Sequence, residues 1–146
     1  MSARNFSVDV GFRVLNLLHK GVLRATRGHV GSSAFGMQVV ELVTTGRTSG
    51  LPRSTILTAP VHQQNYIVLV ASKGGDDRDP QWFRNLVAQP KVAIRAKGET
   101  RDMMARVATP EEAATLWPRV IAAYRPYERY GRRSRREIPL VICEPR

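Results

Sequence analysis

The segment QVVELVTTGRTSGLPRSTILTAPV, residues 38–61, decides the fold. Its two ends are rich in Val, Ile, Leu and Thr, which favour extended strands. Its middle contains two glycines, a proline and several hydroxyl side chains, a composition typical of a tight connection. The segment therefore predicts two strands, over residues 38–45 and 54–61, joined by a loop over residues 46–53.

The rest of the chain continues this pattern of short strands. Apolar or alternating stretches predict further strands over residues 66–71, 91–97, 101–108 and 138–143. Helix start signals predict one helix over residues 80–88, after Asp79, and another from Thr109 to about Tyr124, opened by a capping box. Consecutive strands with short connections pair most simply as antiparallel hairpins. The sequence therefore predicts an α+β, mainly β protein, with an antiparallel barrel of about six strands and helices packed around it.

The composition excludes several classes of protein. The chain has 146 residues, of which 42% are hydrophobic and 24% charged, so it fits one globular domain and not a disordered chain. Cys143 is the only cysteine, which excludes an internal disulfide and a cysteine-based zinc site. The three histidines have no metal-ligand spacing, and we expect no metal. No nucleophile elbow or phosphate-binding P-loop motif is present, so the sequence gives little support to a hydrolase.

The charge is strongly basic and uneven. Lys and Arg number 23 against 12 Asp and Glu, a formal net charge of +11. Residues 1–36 and residues 124–146 each carry a net charge of +4. Such a field favours anionic partners, which include phosphate-bearing cofactors, nucleic acid and anionic membrane surfaces.

The N-terminal segment predicts a basic amphipathic helix. Apolar residues recur at helical spacing over residues 6–27, with Lys20 and Arg24 beside them. A Gly/Ser-rich join follows, so we divide the chain into residues 1–36 and a barrel domain over residues 37–146. The helix suits packing on its own domain or contact with an anionic membrane surface, and both interpretations stay open. No stretch reaches the ~20 apolar residues of a membrane span, so we expect a cytoplasmic protein, peripheral at the inner face of the plasma membrane if the second interpretation holds.

Two loops have the composition of an anion-binding site. The loop over residues 44–53 carries Arg47 and Arg53, whose guanidinium groups match phosphate oxygens. A second loop, residues 72–75, follows a predicted strand and places Lys73 before two glycines that allow close backbone approach. Each loop alone is also an ordinary turn composition, so neither identifies a function by itself.

Four motifs in sequence order are more specific. They are T-T-G-R-x-S-G-x-P-R, A-S-K-G-G, P-x-W-x-x-N-L-x-x-x-P, and I-P-x-V-I-C-E-P preceded by late tyrosines. Their order and spacing, over residues 37–146, resemble the deazaflavin-dependent nitroreductase and quinone reductase family. Members of that family are split-barrel oxidoreductases that use 8-hydroxy-5-deazaflavin, coenzyme F420. The resemblance therefore implies a split barrel and an enzyme that transfers a hydride from the reduced cofactor to a quinone-like or nitroaromatic acceptor.

The resemblance also implies site residues. The implied cofactor-binding positions are Arg47, Thr48, Ser49, Arg53, Ser54, Thr55, Ala71, Ser72, Lys73, Gly74, Trp82 and Asn85. The implied catalytic positions, on the substrate side, are Tyr127, Tyr130 and Ser72. A tyrosine hydroxyl is suited to donate a hydrogen bond to an acceptor oxygen as negative charge develops there. Trp82 and the tyrosines are also suited to core packing, and that alternative stays open.

Departures from the family pattern keep other functions in view. Thr48 stands where many relatives have lysine, and Thr58 stands where one well-studied kind of relative has an aromatic residue, which argues against nitroimidazole reduction. One alternative keeps the barrel but binds flavin mononucleotide (FMN). Another is a non-enzymatic basic module that binds anionic lipid or nucleic acid. Because aromatic residues do not interleave with the basic runs, we expect no nucleic-acid partner.

Overall fold

The computed structural model describes residues 33–34, 36–72, 79–133 and 137–146, and at residues 33, 34 and 130–133 the description is confined to the backbone. The helix predicted over residues 6–27 lies outside these ranges. None of the helices within them has the length and hydropathy of a membrane span.

Eight strands and three helices occur in the described residues. The strands are β1 (Ser33–Ala34), β2 (Met37–Thr45), β3 (Pro52–Ala59), β4 (Val61–His62), β5 (Ile67–Val70), β6 (Lys91–Ala96), β7 (Glu99–Val107) and β8 (Leu140–Pro145). The helices are α1 (Gln81–Ala88), α2 (Pro110–Ala123) and α3 (Pro126–Arg133). Within the described residues, the predicted strands and helices are therefore present, and β1 forms in the Gly/Ser-rich join that precedes residue 37.

The strands form one curled antiparallel sheet. Its order is β1-β2-β6-β7-β8-β5-β4, and β3 pairs with β2 on the side away from β6. β3 and β5 contact each other across the curl, but no hydrogen-bonded register joins them in the described residues. The short strand β4 covers only Ile67 and Val68 of β5, so this seam lies along the second half of β5. The prediction of a mainly β, split antiparallel barrel with helices around it is confirmed.

The strand predicted over residues 54–61 is wrong in one respect, because it is broken at Pro60. β3 pairs with β2 as a hairpin from Thr45 opposite Pro52 to Gln38 opposite Ala59. The chain then bends, and Val61 pairs with Val68 of β5 instead. Proline lacks the backbone N–H that a continuous ladder needs, so the strand changes partner at this residue.

Two hydrophobic clusters lie on opposite faces of β5 and β8. The inner cluster fills the barrel and is completed by Trp82, Phe83 and Leu86 of α1. The outer cluster lies beneath α2 and α3, with Leu116 and Val120 at its centre. All four side chains of β5 are buried, because alternate residues of this strand enter alternate clusters. Burial of each such aliphatic side chain contributes roughly 1.5–3 kcal/mol.

The start of α2 is fixed by the predicted capping box. The Glu112 backbone N–H donates to Thr109 Oγ1 at 3.2 Å, and the Thr109 N–H donates to Glu112 Oε1 at 2.9 Å. Arg106 of β7 also donates to both Glu112 carboxylate oxygens, at 2.7 and 2.9 Å. The hydrogen bonds from Arg106, and to a smaller extent the one from the Thr109 N–H, lower the pKa of Glu112 to about 2. The network anchors the start of α2 to β7 of the barrel.

Candidate functional site

The topology brings several predicted site residues to one end of the barrel. Every ladder in the sheet is antiparallel, and five ladders separate β3 from β5, so these two strands run in opposite directions. The start of β3, with Arg53, therefore lies at the same end as the end of β5, which leads to Ala71 and Ser72. The hairpin loop between β2 and β3 lies at that end too. We call it the loop end of the barrel.

The hairpin loop is closed by its own hydrogen bonds. The Gly46 N–H donates to the Leu51 carbonyl at 2.8 Å, and the Gly50 N–H donates to the Gly46 carbonyl at 2.8 Å. Gly50 has φ +72, which favours glycine. A Cβ atom on Gly46 would stand 2.6 Å from Ser49 Oγ and 3.4 Å from Arg53 Nε. The missing side chain of Gly46 therefore lets these two groups close over the backbone.

Ser49 acts within the loop. Its Oγ accepts hydrogen bonds from the Leu51 N–H at 3.2 Å and from Arg53 Nη2 at 3.3 Å. Arg53 is exposed at the start of β3, and the Ser49 hydroxyl holds its guanidinium beside the loop. Thr48 is exposed at the loop tip. The predicted residues Ser49 and Arg53 are therefore brought together, with Ser49 orienting the cation.

Arg47 joins the loop to α1. Its Nη1 donates to Asn85 Oδ1 at 2.8 Å, and its backbone N–H donates to the same oxygen at 3.2 Å. Its Nη2 donates to Gln81 Oε1 at 2.7 Å. Asn85 is buried, and its Nδ2 donates to Thr44 Oγ1 of β2 at 3.2 Å. One amide side chain thus connects β2, the loop and α1.

Within the described residues, the two arginines of the loop end have no carboxylate partner to compensate their charge. The partners of Arg47 are amide oxygens and the side-chain partner of Arg53 is a hydroxyl, so none carries a negative charge. Among the described residues, the ion pairs involve other arginines, and neither Arg47 nor Arg53 takes part. Two oriented guanidinium groups with unbalanced charge are suited to bind phosphate or carboxylate oxygens.

The remaining predicted positions on β3 and β5 differ in orientation. Thr55 pairs with Leu42, whose side chain is in the inner cluster, so Thr55 faces the barrel interior. Ser54 precedes it and faces the other side of the sheet. Ala71 is fully buried and its N–H donates to the Pro139 carbonyl at 3.0 Å, which fixes the chain just before the buried Ser72. Lys73 and Gly74 lie outside the described residues.

Trp82 lies in the inner cluster. Its side chain is 6% exposed, and its ring makes an edge-to-face contact with Phe83, with centroids 6.3 Å apart. This placement corresponds to the core-packing alternative that the sequence leaves open. Trp82 also lies on the same face of α1 as Asn85, three residues later. Its contact with a cofactor stays a prediction.

The Tyr127 hydroxyl is buried on the outer side of the barrel, away from the inner cluster. It lies 3.3 Å from Thr58 Oγ1 and donates to Met37 Sδ at 3.9 Å. Its ring stacks edge-to-face on Tyr124, with centroids 5.1 Å apart. Burial raises the pKa of Tyr127, so the phenol stays protonated at neutral pH. Tyr130 lies one turn further along α3, where the description is confined to the backbone.

Sequence analysis missed two contacts that complete this arrangement. Gln81 was not singled out, although it lies four residues before Asn85 and so presents its amide on the same face of α1. Thr58 was noted only as a departure from the family pattern, and its contact with Tyr127 spans 69 residues of sequence. A helical-face argument finds the first contact, and no local pattern finds the second.

A further cavity opens at the opposite end of the barrel. It has a volume of about 560 Å³ and is lined in part by His62, Lys97, Glu99 and Arg101. The pKa of His62 is lowered first by burial and then by the positive charges of Arg101 and Lys97, so the imidazole is neutral at pH 7. Arg101 donates to the carbonyls of Gln63 and Gln64. None of the predicted site residues lies in this cavity.

Comparisons with known proteins agree with the fold and with the family that the motifs resemble. A sequence model of the family described as F420H(2)-dependent quinone reductase matches residues 17–145. An F420H(2)-dependent quinone reductase of Mycobacterium tuberculosis strain H37Rv is 37% identical over 142 residues, covering 94% of this chain and 93% of that protein. A solved structure of an F420-H2 dependent reductase is 36% identical and has a TM-score of 0.66, covering 73% of this chain and 93% of that one. Another, described as a domain-swapped dimer, is 30% identical with a TM-score of 0.69, covering 98% of this chain and all of that one.

Proposed function

Because the chain belongs to the F420H(2)-dependent quinone reductase family, we propose that it reduces a quinone with a hydride from reduced coenzyme F420. The chain is thus an F420-dependent reductase, and F420 is its cofactor. This sets aside the non-enzymatic basic module and makes FMN a secondary candidate. The observation that carries the proposal on the structural side is a pair of guanidinium groups, Arg47 and Arg53, at the loop end of the barrel, neither of which has a carboxylate partner in the part of the chain that the structure describes.

The residues at the loop end fit an anionic cofactor. Coenzyme F420 carries a phosphate and a glutamyl tail, both of which are negatively charged. Arg47 and Arg53 supply matching cations, and Gly46 leaves room for close approach to the loop backbone. We assign cofactor binding to the hairpin loop, the start of β3, the segment that follows β5 and one face of α1. These are the positions implied by the family resemblance: Arg47, Thr48, Ser49, Arg53, Ser54, Thr55, Ala71, Ser72, Lys73, Gly74, Trp82 and Asn85.

The bound reduced deazaflavin supplies the hydride, and the chain orients both reactants and excludes water. Quinone reduction to a quinol also consumes a proton. We assign Tyr127, Tyr130 and Ser72 to the acceptor side, where a neutral hydroxyl donates a hydrogen bond to the quinone oxygen as it gains negative charge. The raised pKa of Tyr127 supports this role, because it keeps the donor proton on the phenol. To reach an acceptor, the hydroxyl must exchange its contacts with Thr58 and Met37.

The test is an anaerobic assay with reduced F420 and a short-chain naphthoquinone, following the absorbance of the oxidised cofactor. We expect quinone-dependent oxidation, and we expect Arg53→Ala to raise the KM for reduced F420 about tenfold or more, as for the loss of a charge-assisted hydrogen bond. Arg84→Ala is the matched control, since Arg84 is exposed on α1 away from the loop contacts, and it should leave the KM unchanged. No quinone-dependent oxidation by folded protein at saturating cofactor would overturn the proposal.

Two finer points are tested in the same system. A nitroaromatic acceptor replaces the quinone, and we expect slower turnover because Thr58 is not aromatic. FMN competes against F420 in a binding titration, and we expect F420 to bind at least about tenfold more tightly. FMN binding that is equal or tighter would transfer the cofactor assignment to FMN.

We also propose that residues 6–27 hold the enzyme at an anionic membrane surface, close to lipid-soluble quinones. The support is the net charge of +4 in residues 1–36 together with the amphipathic spacing of the sequence. In a pelleting assay, the full chain should sediment with anionic liposomes, and a chain that lacks residues 1–30 should stay in the supernatant. Equal partition of the two chains would contradict the proposal.

A further inference from the structure

We propose that Gln81 is a positioning residue that selects for an anionic cofactor, because it orients Arg47 without neutralising it. The contact is the hydrogen bond of 2.7 Å from Arg47 Nη2 to Gln81 Oε1. This inference rests on the proposed function, and it adds a residue that neither the motifs nor the family resemblance identify.

The guanidinium is fixed at two points. Asn85 accepts from Nη1 and Gln81 accepts from Nη2, so the plane of the group cannot rotate freely. A guanidinium has five N–H donors, and these two contacts use one on each terminal nitrogen. Three donors remain, on Nε and on the two terminal nitrogens, for an incoming phosphate or carboxylate. Gln81 therefore determines which way those remaining donors point.

The chemical nature of the partner matters as much as its position. An amide oxygen holds arginine by a hydrogen bond while leaving its full positive charge for a ligand. A carboxylate at the same place would form an ion pair, and an incoming anion would meet a neutral pair and a repelling oxygen. Glutamine and glutamate have nearly the same shape. A single atom at position 81 thus decides whether Arg47 offers an incoming anion a full positive charge or a charge that is already paired.

The side-chain amides of Asn85 and Gln81 differ in burial and therefore in their roles. Asn85 is buried and also bonds to Thr44, so it is part of the fold as well as of the site. Gln81 is exposed, at the first residue of α1, so its substitution tests charge and orientation with little effect on packing. This separation makes Gln81 the position at which ligand selection can be changed without unfolding the site.

The experiment compares Gln81→Glu with Gln89→Glu, which makes the same change of net charge on an exposed glutamine just past the other end of α1. Binding is measured by calorimetry for two ligands, oxidised F420 and the deazaflavin riboside that lacks the phosphate and the glutamyl tail. We expect Gln81→Glu to weaken F420 binding by about 10- to 100-fold and to change riboside binding by less than about twofold. Gln89→Glu should change both by less than about twofold.

Further arms identify the anion and the role of orientation. A cofactor form that has the phosphate but no glutamate distinguishes the sources: an equal loss with this form assigns Arg47 to the phosphate, and a smaller loss assigns it to the glutamyl carboxylates. Gln81→Met keeps the side chain neutral but removes the acceptor oxygen, and we expect a loss of about 2- to 5-fold. In steady-state kinetics, Gln81→Glu should raise the KM for reduced F420 and leave kcat unchanged.

The outcomes separate the two proposals. If the wild-type protein binds F420 but Gln81→Glu behaves like Gln89→Glu, the role of Gln81 is overturned and the proposed function stands. If Gln81→Glu weakens the riboside as much as F420, Gln81 is structural and does not select for the anion. If the folded wild-type protein shows no saturable binding of F420, both proposals fail.

Discussion

Arg47 and Arg106 have similar bonding patterns and opposite electrostatic outcomes. Each guanidinium bonds to two side chains from other parts of the fold. Arg106 bonds to the carboxylates of Glu112 and Glu144, and these hydrogen bonds raise the pKa of its guanidinium. Arg47 bonds to the amides of Asn85 and Gln81. Arg106 therefore links elements and has its charge compensated by carboxylates. Arg47 also links elements, but its described side-chain partners are uncharged.

In this small basic protein, structural arginines differ from candidate binding arginines in the chemical nature of their side-chain partners. With 23 Lys and Arg residues, position in the sequence says little about which cation binds a ligand. The side-chain partner determines whether an arginine can bind an anionic ligand, because a carboxylate compensates the positive charge and an amide or a hydroxyl does not. Arg53, held by the Ser49 hydroxyl, belongs with Arg47 by this criterion. Arg95, paired with Glu41 at 2.8 Å, belongs with Arg106.

The largest expected effect on stability comes from removing Asn85, the buried amide that holds Arg47. Asn85→Leu removes the acceptor for two Arg47 donors and the donor to Thr44, leaving polar groups unsatisfied. We expect the free energy of unfolding to fall by about 2–3 kcal/mol and F420 affinity to fall at least tenfold. Chemical denaturation and calorimetry measure the two effects. Val87→Ala, on the exposed face of α1, is the control, and equal losses in both variants would show that Asn85 has no special role.

A smaller effect is expected where the loop closes over Gly46. Gly46→Ala places a methyl group 2.6 Å from Ser49 Oγ and 3.3 Å from the Leu51 carbonyl, so Ser49 must move and release Arg53. We expect about 1 kcal/mol of lost stability and a several-fold weaker affinity for F420. Gly36→Ala is a partial control for adding a methyl group, since nothing lies within 4 Å of its site, although its φ of +76 adds its own strain. Unchanged F420 affinity in folded Gly46→Ala would contradict the assignment of Arg53.

The ion pair between Arg106 and Glu112 should contribute to thermal stability in a way that depends on acid pH, and it should not affect the affinity for F420. The pKa of Glu112 is about 2 in the folded protein and near 4.5 when unperturbed, so its contribution is present above pH 4.5 and is lost as the pH falls towards 2. Arg106→Ala should lower the Tm by about 2–4 °C at pH 7, and the difference from wild type should shrink below about pH 4. Its affinity for F420 should stay within about twofold of wild type.

The matched control for the pH experiment is Arg119→Ala. Arg119 donates to the Tyr66 hydroxyl at 2.6 Å and to no described carboxylate, so its effect on Tm should not depend on acid pH. Thermal melts from pH 7 to pH 2 test the pair. A Tm difference for Arg106→Ala that stays constant over that range would contradict the ion-pair account.

The smallest expected effect concerns a contact between two hydroxyls. The hydrogen bond with Thr58 lowers the pKa of Tyr127, against the larger raising effect of burial. Thr58→Val keeps the shape of the side chain and removes this hydrogen bond, so the pKa of Tyr127 should rise further. Phenol titration followed by NMR measures the shift, with Thr115→Val on exposed α2 as control. A fall in the pKa would show that the Thr58 contact does not stabilise the phenolate.

Local sequence patterns predicted the elements well but not their partners. The capping box at Thr109 and the loop after Thr45 follow from short-range chemistry, and the structure has both. The helix predicted after Asp79 is present too, but its N-cap is Pro80 and not Asp79, so the predicted start is wrong by one residue. The break at Pro60 could have been taken from proline alone, because a missing N–H interrupts a ladder. The pairing of β8 with both β5 and β7 joins segments that lie far apart in sequence, and no local pattern encodes it.

The candidate site shows the same limit. The motif order identified Arg47, Arg53 and Asn85, and the structure places all three at or beside the hairpin loop. It could not show that Arg47 is held by amides, because the contact joins residues 34 and 38 positions apart. It also could not show that the Tyr127 hydroxyl lies on Thr58 and Met37, since that arrangement depends on how α3 packs on the sheet.

The measurement that tests the central claim most directly is calorimetric titration of oxidised F420 into the wild-type protein, Arg47→Ala and Arg106→Ala. Both variants remove one arginine that bridges elements, and both lower the net charge by one. We predict that Arg47→Ala weakens binding at least about 30-fold and that Arg106→Ala stays within about twofold of wild type. Equal affinities for the two folded variants would contradict the claim that an uncompensated arginine receives the cofactor's anion.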